Sequence, residues 1–371
     1  MKITKLETFF VKPRWVFLKM HTDEGVTGWG EPIVEGWSQA VAAAGQEMGE
    51  YLEGKDPRRI EHHWQALYRG AFYRGGPVLT SALSGIEQAM WDITGKWLGV
   101  PVYQLLGGAV RDRIRVYCHV GWETCGDYLR MTGQGREGGF TAVKVSPVDA
   151  ARFIESSEFV GTVVGRVASL REALGKKVDI AVEFHGRLSP AMAIRLARAL
   201  EPYDPLFIEE PCLPENVDAM AQIARSTSVP IATGERLFTK WAFREVLEKH
   251  AASVLQPDLS HAGGIFEVRK IAAMAESHYA ALAPHCPLGP ISLAACLQLD
   301  ACIPNFLCQE QVCTGEGYIK KPFFVSDGYI DLPTGPGLGI EVDEDAVAEK
   351  LYDGKWQNPR LWHEDGSLAD W

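Results

Sequence analysis

The eight cysteines (Cys118, Cys125, Cys212, Cys286, Cys296, Cys302, Cys308 and Cys313) include no C-x-x-C pair. Most lie inside apolar runs, where a free thiol behaves as a small hydrophobe. With no secretory-type apolar stretch in MKITKLETFF, this pattern reads as a reduced, cytoplasmic chain. Dense basic runs are also missing. Arg58-Arg59 and Lys320-Lys321 are isolated pairs, and 37 Lys+Arg stand against 48 Asp+Glu. That balance argues against a nucleic-acid partner, whose phosphates require a basic face. The longest apolar stretch, 279–303, carries Pro284, Pro287, Pro290, His285 and Asp300, so it does not read as a membrane helix.

What remains is an ordinary globular composition, 46% hydrophobic and 23% charged over 371 residues. That length suits one barrel with a smaller domain beside it. Residues 1–112 read as an α+β capping domain. Runs 3–11, 15–22 and 26–31 are strands of a meander, with Asp23-Glu24-Gly25 as a turn, and helical patterns follow at 38–54, 57–68 and 79–98.

From 113 to 325 the pattern changes. Eight short apolar runs recur, each ending in polar residues: 114–118, 141–145, 178–184, 205–210, 229–235, 252–258, 279–285 and 305–310. Helical stretches such as 189–201 and 264–278 lie between most of them. Alternation of this kind implies parallel βαβ units, and eight of them imply a (β/α)8 barrel. The long interval from Val145 to Val178 calls for an extra turn or a longer helix. Residues 326–371 have no barrel period and are expected to return to the capping domain.

Barrel enzymes draw their reactive groups from the C-terminal strand ends. Those ends carry Lys144, Glu183, His185, Glu209, Glu210, Glu235, Asp258, His285 and Glu310, about one βα unit apart. Three carboxylates on consecutive strands repel one another unless a hard cation neutralises them, and Mg²⁺ suits oxygen ligands with open positions. Phase favours Glu209 over its neighbour Glu210 as the third ligand beside Glu183 and Glu235. His285 and Asp258 end adjacent strands; a carboxylate on an imidazole N–H fixes the tautomer and raises basicity, so His285 is a candidate general base. His185 shares the face of Glu183 and is either a general acid or a structural donor. Glu310, opposite the metal, could hydrogen-bond an enediolate oxygen if it is protonated, as buried acids near other carboxylates can be. Lys144 either pairs with the carboxylates or touches a substrate carboxylate. His261, beyond the sixth turn, is kept out of the set.

These motifs, with DEGVTGWGEP (23–32), FYRGGP (72–77), FIEEP, GERLF, QPDLSHAGGI, APHCPLGPISLAAC and the HEDGS tail, resemble the mandelate-racemase-like branch of the enolase superfamily, most closely the D-galactonate dehydratase family. The resemblance implies that Glu183, Glu209 and Glu235 bind Mg²⁺, that His285 backed by Asp258 takes the C2 proton, that His185 protonates the departing C3 hydroxyl, and that Glu310 stabilises the enediolate. The product is a 2-keto-3-deoxy sugar acid. Two departures stand out. Glu183 replaces the family's Asp at the first ligand, which leaves an impaired, sugar-acid- or metal-binding barrel as one alternative; another aldonate, dehydrated or epimerised, is a second. Lys144-Val145-Ser146 replaces Lys-x-Asn, and with no second lysine in this motif it argues against two-base racemisation. Substrate specificity is expected from Arg14, Trp15 and Phe72–Arg74, and from the strand ends near His119 and Trp122. The implied partners are a small sugar acid and further copies of the chain in a homo-oligomer.

Overall fold

The computed structural model describes residues 1–121 and 139–371. Trp122 and Cys125 lie outside the described residues. The capping domain opens with an antiparallel meander, β1 (Ile3–Val11), β2 (Trp15–Thr22) and β3 (Thr27–Gly30). Three helices follow: α1 (Ser38–Leu52), α2 (Ile60–Arg69) and α3 (Pro77–Leu98). Helix α3 starts two residues before its apolar pattern because Pro77 sits at its first position, where no N–H is needed. It lies so close to β3 that a Cβ at Gly28 or Gly30 would sit 2.2 and 1.9 Å from the carbonyl oxygens of Ala89 and Gly85. Only glycine allows that approach.

The eight apolar runs all contain strands: β4 (Arg113–His119), β5 (Ala142–Val145), β6 (Asp179–Glu183), β7 (Phe207–Glu209), β8 (Ile231–Thr233), β9 (Val254–Leu255), β10 (Ala281–Leu282) and β11 (Gln309–Glu310). Each pairs in parallel with the next from β4 to β10. Strand β11 pairs with β4, and the bridge Leu282↔Phe306 joins β10 to the lead-in of β11, so the ring closes. The long 145–178 interval holds a coil and the 18-residue helix Ser157–Leu174.

The barrel interior is one packed layer with a residue from each strand or its flank: Tyr117, Ala142, Ala181, Phe207, Ala232, Val254, Ala283 and Cys308. Small residues dominate because Tyr117 and Phe207, both buried, fill the centre. Side chains alternate along a strand. Two residues further on therefore comes the next inward layer: His119, Lys144, Glu183, Glu209, Gly234, Gln256, His285 and Glu310. A polar floor thus sits directly on an apolar plug.

Cap and barrel are joined by buried carboxylates on backbone donors. Glu87 of α3 accepts the N–H groups of Ile265 and Phe266 at 2.8 Å each, at the start of helix Ile265–Ser277. Glu31 accepts Gly289 N at 2.7 Å and Ser292 N at 2.9 Å, at the start of helix Pro290–Cys302. Both satisfy otherwise orphaned donors at the positive end of a helix dipole. The tail touches the cap: Val11 bridges Leu351, and Lys19 pairs with Glu344 at 2.6 Å. It also does what the pattern did not predict. Tyr329–Asp331 pairs antiparallel with β4, and Trp371 reaches the barrel mouth. Seven described cysteines are free, six of them buried. Among the described residues no helix is long and apolar enough to cross a membrane.

Candidate active site

The polar floor opens into a cavity of about 540 Å³. The barrel supplies His119, Lys144, Glu183, His185, Glu235, His285 and Glu310; the cap supplies Arg14, Glu35 and Trp37; the tail supplies Asn358 and Trp371. Trp15 and Phe72–Arg74 do not line it. Trp15 is buried in the cap, and Phe72 and Tyr73 are 91% and 85% exposed on a loop that turns outward. The expectation that they read substrate is corrected: a short separation in sequence from lining residues did not bring them to the mouth.

His285 is held as anticipated, with Nδ1 2.8 Å from Asp258 Oδ2. Asp258 is anchored by Ser260 N at 2.6 Å. The other ring nitrogen, Nε2, is 3.3 Å from Glu235 and 3.9 Å from Glu310. Burial opposes charge on this imidazole, yet Glu310, Glu235 and Asp258 together hold its pKa well above the usual histidine range. His185 differs. Its backbone is left-handed (φ 56°), its ring lies 5.3 Å from that of Trp371, and burial lowers its pKa.

Glu183, His185 and Glu235 converge, each offering one ligand atom within 4.8 Å of the others. Glu183 Oε1 and His185 Nδ1 are buried without a hydrogen-bond partner. Buried polar atoms are rarely left so, and an oxygen and a nitrogen acceptor aimed at one point fit a cation. Glu235 reaches the site although it is one residue out of phase with the inward layer. Gly234, at φ 146°, makes the switch, and a Cβ there would lie 2.8 Å from Phe243. Burial raises Glu235 to about 7.

Glu209 is not in the converging group. Its register partner is Glu183, but its oxygens are taken by Lys144 Nζ at 2.6 Å and Gln256 Nε2 at 2.7 Å. Lys144, open between two roles in the sequence, pairs with carboxylates: Glu209, Glu310 at 2.7 Å and Glu183 at 3.6 Å. Glu210 faces away to Arg236 at 2.6 Å and Thr233 at 2.5 Å, a structural partner.

The sequence leaves the charge state of Glu310 open. Burial does push it up, but Lys144, His285 and His119 pull it well below the ordinary carboxyl range. It accepts from Lys144 Nζ and Cys286 N and lies against His119 Nε2, an arrangement that suits a carboxylate. His261, set aside above, lines the cavity and meets Ser81 Oγ at 2.9 Å. His119 and Gln256 were legible by period-two counting from Tyr117 and Val254; Glu35, Asn358 and Trp371 carry no local signal.

The chain matches the family description "Mandelate racemase / muconate lactonizing enzyme, N-terminal domain" over residues 7–107 and "Enolase C-terminal domain-like" over 129–346. It belongs to the mandelate racemase/muconate lactonizing enzyme family of the enolase superfamily. It is 51% identical to a D-galactonate dehydratase from Ralstonia nicotianae and 48% identical to one from Cronobacter sakazakii, with 100% of both chains covered in each case. Among solved structures, an enolase from Agrobacterium radiobacter bound to sodium and L-malate is 34% identical with a TM-score of 0.93, and a mandelate racemase/muconate lactonizing enzyme from a Sulfitobacter species is 35% identical with a TM-score of 0.91. Both alignments cover 100% of each chain.

Proposed function

We propose that this family member is a metal-dependent hydro-lyase acting on a sugar acid, D-galactonate first, with Mg²⁺ as its cation. One observation carries the reading: half-identity along the whole length to D-galactonate dehydratases, in a chain whose cavity brings His185 and His285 together with Glu183 and Glu235. Glu183, Glu209 and Glu235 would hold the metal, with His185 beside them. When bound, the metal supplies positive charge against the substrate carboxylate and the enediolate that forms from it.

The chain's own residues do the proton work. His285 Nε2 takes the C2 proton, and Asp258 steadies the resulting imidazolium through Nδ1–H. Glu235, 3.3 Å from Nε2, would be drawn on as a metal ligand, and His285 Nε2 is the ring nitrogen left to act as the base. His185 gives a proton to the C3 oxygen as the C3–O bond breaks, and water leaves. Its lowered pKa makes it a strong acid in the protonated form. With Lys144, His285 and His119 drawing its pKa down, Glu310 is a carboxylate and not a proton donor to the enediolate; its role is to hold His119 and Lys144, both of which line the cavity. The enol tautomerises to the 2-keto-3-deoxy acid. Ser146, 3.4 Å from Glu183, offers no second base, which favours elimination over racemisation.

The test is a turnover screen of purified protein with Mg²⁺ against a panel of sugar acids, detecting 2-keto acid. D-Galactonate turnover that EDTA and His285→Asn both abolish is the expected result. Turnover of another aldonate alone overturns the substrate, and solvent deuterium entering C2 without water loss overturns the reaction.

A further inference from the structure

We propose that Lys144 is a built-in counter-ion that competes with the metal: its ammonium holds the carboxylates together when no cation is bound, and it must yield Glu209 before Glu209 can act as a ligand. The inference deepens the metal-dependent reading above and rests on it.

Three observations carry it. Lys144 is 1% exposed, and its ammonium meets Glu209, Glu310 and Glu183 at 2.6, 2.7 and 3.6 Å. A lysine this deep is tolerated only because anions surround it. Second, the three proposed metal ligands are in different states. Glu183 keeps a buried oxygen without a partner, and Glu235 shares its contact with the cavity-facing nitrogen of His285; Glu209 alone has both oxygens occupied. Third, the atoms that already converge on one point come from Glu183, His185 and Glu235, and leave Glu209 out. What separates Glu209 from that group is its hold on Lys144 and Gln256, and of the two only Lys144 carries a charge that opposes a cation.

The physical consequence has a sign. A cation bound among Glu183, Glu209 and Glu235 shares those carboxylates with a positive charge already beside two of them. Like charges this close, in a water-poor site, raise each other's cost. Glu310 is where the ammonium can turn, since it already accepts Lys144 on the side away from Glu209. Removing the charge of Lys144 should therefore tighten metal binding. The opposite possibility, that Lys144 positions Glu209 for the metal, predicts the opposite sign.

The experiment measures Mn²⁺ affinity of the full chain from the free Mn²⁺ paramagnetic resonance signal, at fixed pH and ionic strength. It compares the unaltered protein with Lys144→Met, Lys144→Gln and a remote control, Lys270→Met, which alters a pairing with Glu61 and Glu267. Both Lys144 variants should bind Mn²⁺ on the order of tenfold more tightly. The control should be unchanged, which excludes a net-charge effect. Without metal, Lys144→Met should unfold at a lower temperature than the unaltered protein, and Mn²⁺ should restore more of its stability. Lys144→Gln retains an N–H donor for Glu209 and carries the comparison if Lys144→Met does not fold. Equal or weaker Mn²⁺ binding by Lys144→Gln overturns the inference. Failure of the unaltered protein to bind Mn²⁺ at all overturns instead the metal reading beneath it.

Discussion

Among the buried carboxylates of this molecule, one group stands at the barrel mouth and another along the seam between cap and barrel. The seam acids are satisfied. Glu87 accepts two backbone N–H groups and the Trp91 indole; Glu31 accepts two backbone N–H groups; Asp92 accepts Trp29 N, Leu338 N and Lys96. The mouth acids are crowded against one another, share one lysine, and leave Glu183 Oε1 without a partner. Burial alone does not separate structural from functional acids, since Glu209 and Glu310 at the mouth are as enclosed as Glu31 and Glu87 at the seam. What separates them is the state of their lone pairs: the seam spends them on fixed donors, and the mouth keeps some of them for a ligand.

The sharpest way to break this distinction is to exchange effects between the sets. His285→Asn should lower turnover by about 10²–10⁴-fold, the usual share of a general base, and leave the denaturation midpoint where it is. A large stability loss in that variant would mean the mouth is structural after all. Glu87→Ala should do the reverse. It strands one buried and two part-buried donors, at about 1–3 kcal/mol for a buried one and less for the others, so a loss of about 2–3 kcal/mol in urea unfolding is expected, with turnover per folded molecule retained.

Glu183→Asp sharpens the picture of the first ligand. Shortening by one methylene withdraws the carboxylate by about 1.5 Å from a group that already converges. Calorimetry should find metal binding weaker on the order of tenfold. Tighter binding would mean that the longer side chain, not the shorter, is the misfit.

The smallest effect is a pH dependence of the seam. Burial pushes both Glu31 and Glu87 up to about 8, against the pull of their donors. An acid whose folded pKa is raised gives stability that is full below its unfolded value and is lost as pH rises to the folded one. From these two groups, the urea midpoint should fall as pH rises from about 4.5 to about 8 and level off above that. The fall should be shallower in Glu87→Ala, which has lost one of the two groups.

The eight strand positions and their polar ends were legible because a parallel strand buried on both faces must be a short apolar run, and the barrel rule puts chemistry where the run ends. The Asp258–His285 pair followed from adjacency of strands. Less was legible of the rim. Trp371 and Asn358 come to the cavity from the tail, far in sequence from every strand end. Phe72–Arg74 had the right composition and turned outward, because the direction of an exposed loop is not written in its residue types. The charge state of Glu310 also escaped: it depends on His119 and Lys144 closing on it from neighbouring strands.

By itself, then, the sequence determined the repeating unit, the barrel class and the layer in which the reactive groups stand, because periodicity is a local property of the chain. Only the tertiary structure decided which carboxylate pairs with Lys144, which keeps a free oxygen, and which acids lock the cap. Those outcomes depend on distances across the barrel and across the seam, and lone pairs are assigned by proximity in space rather than by order along the chain.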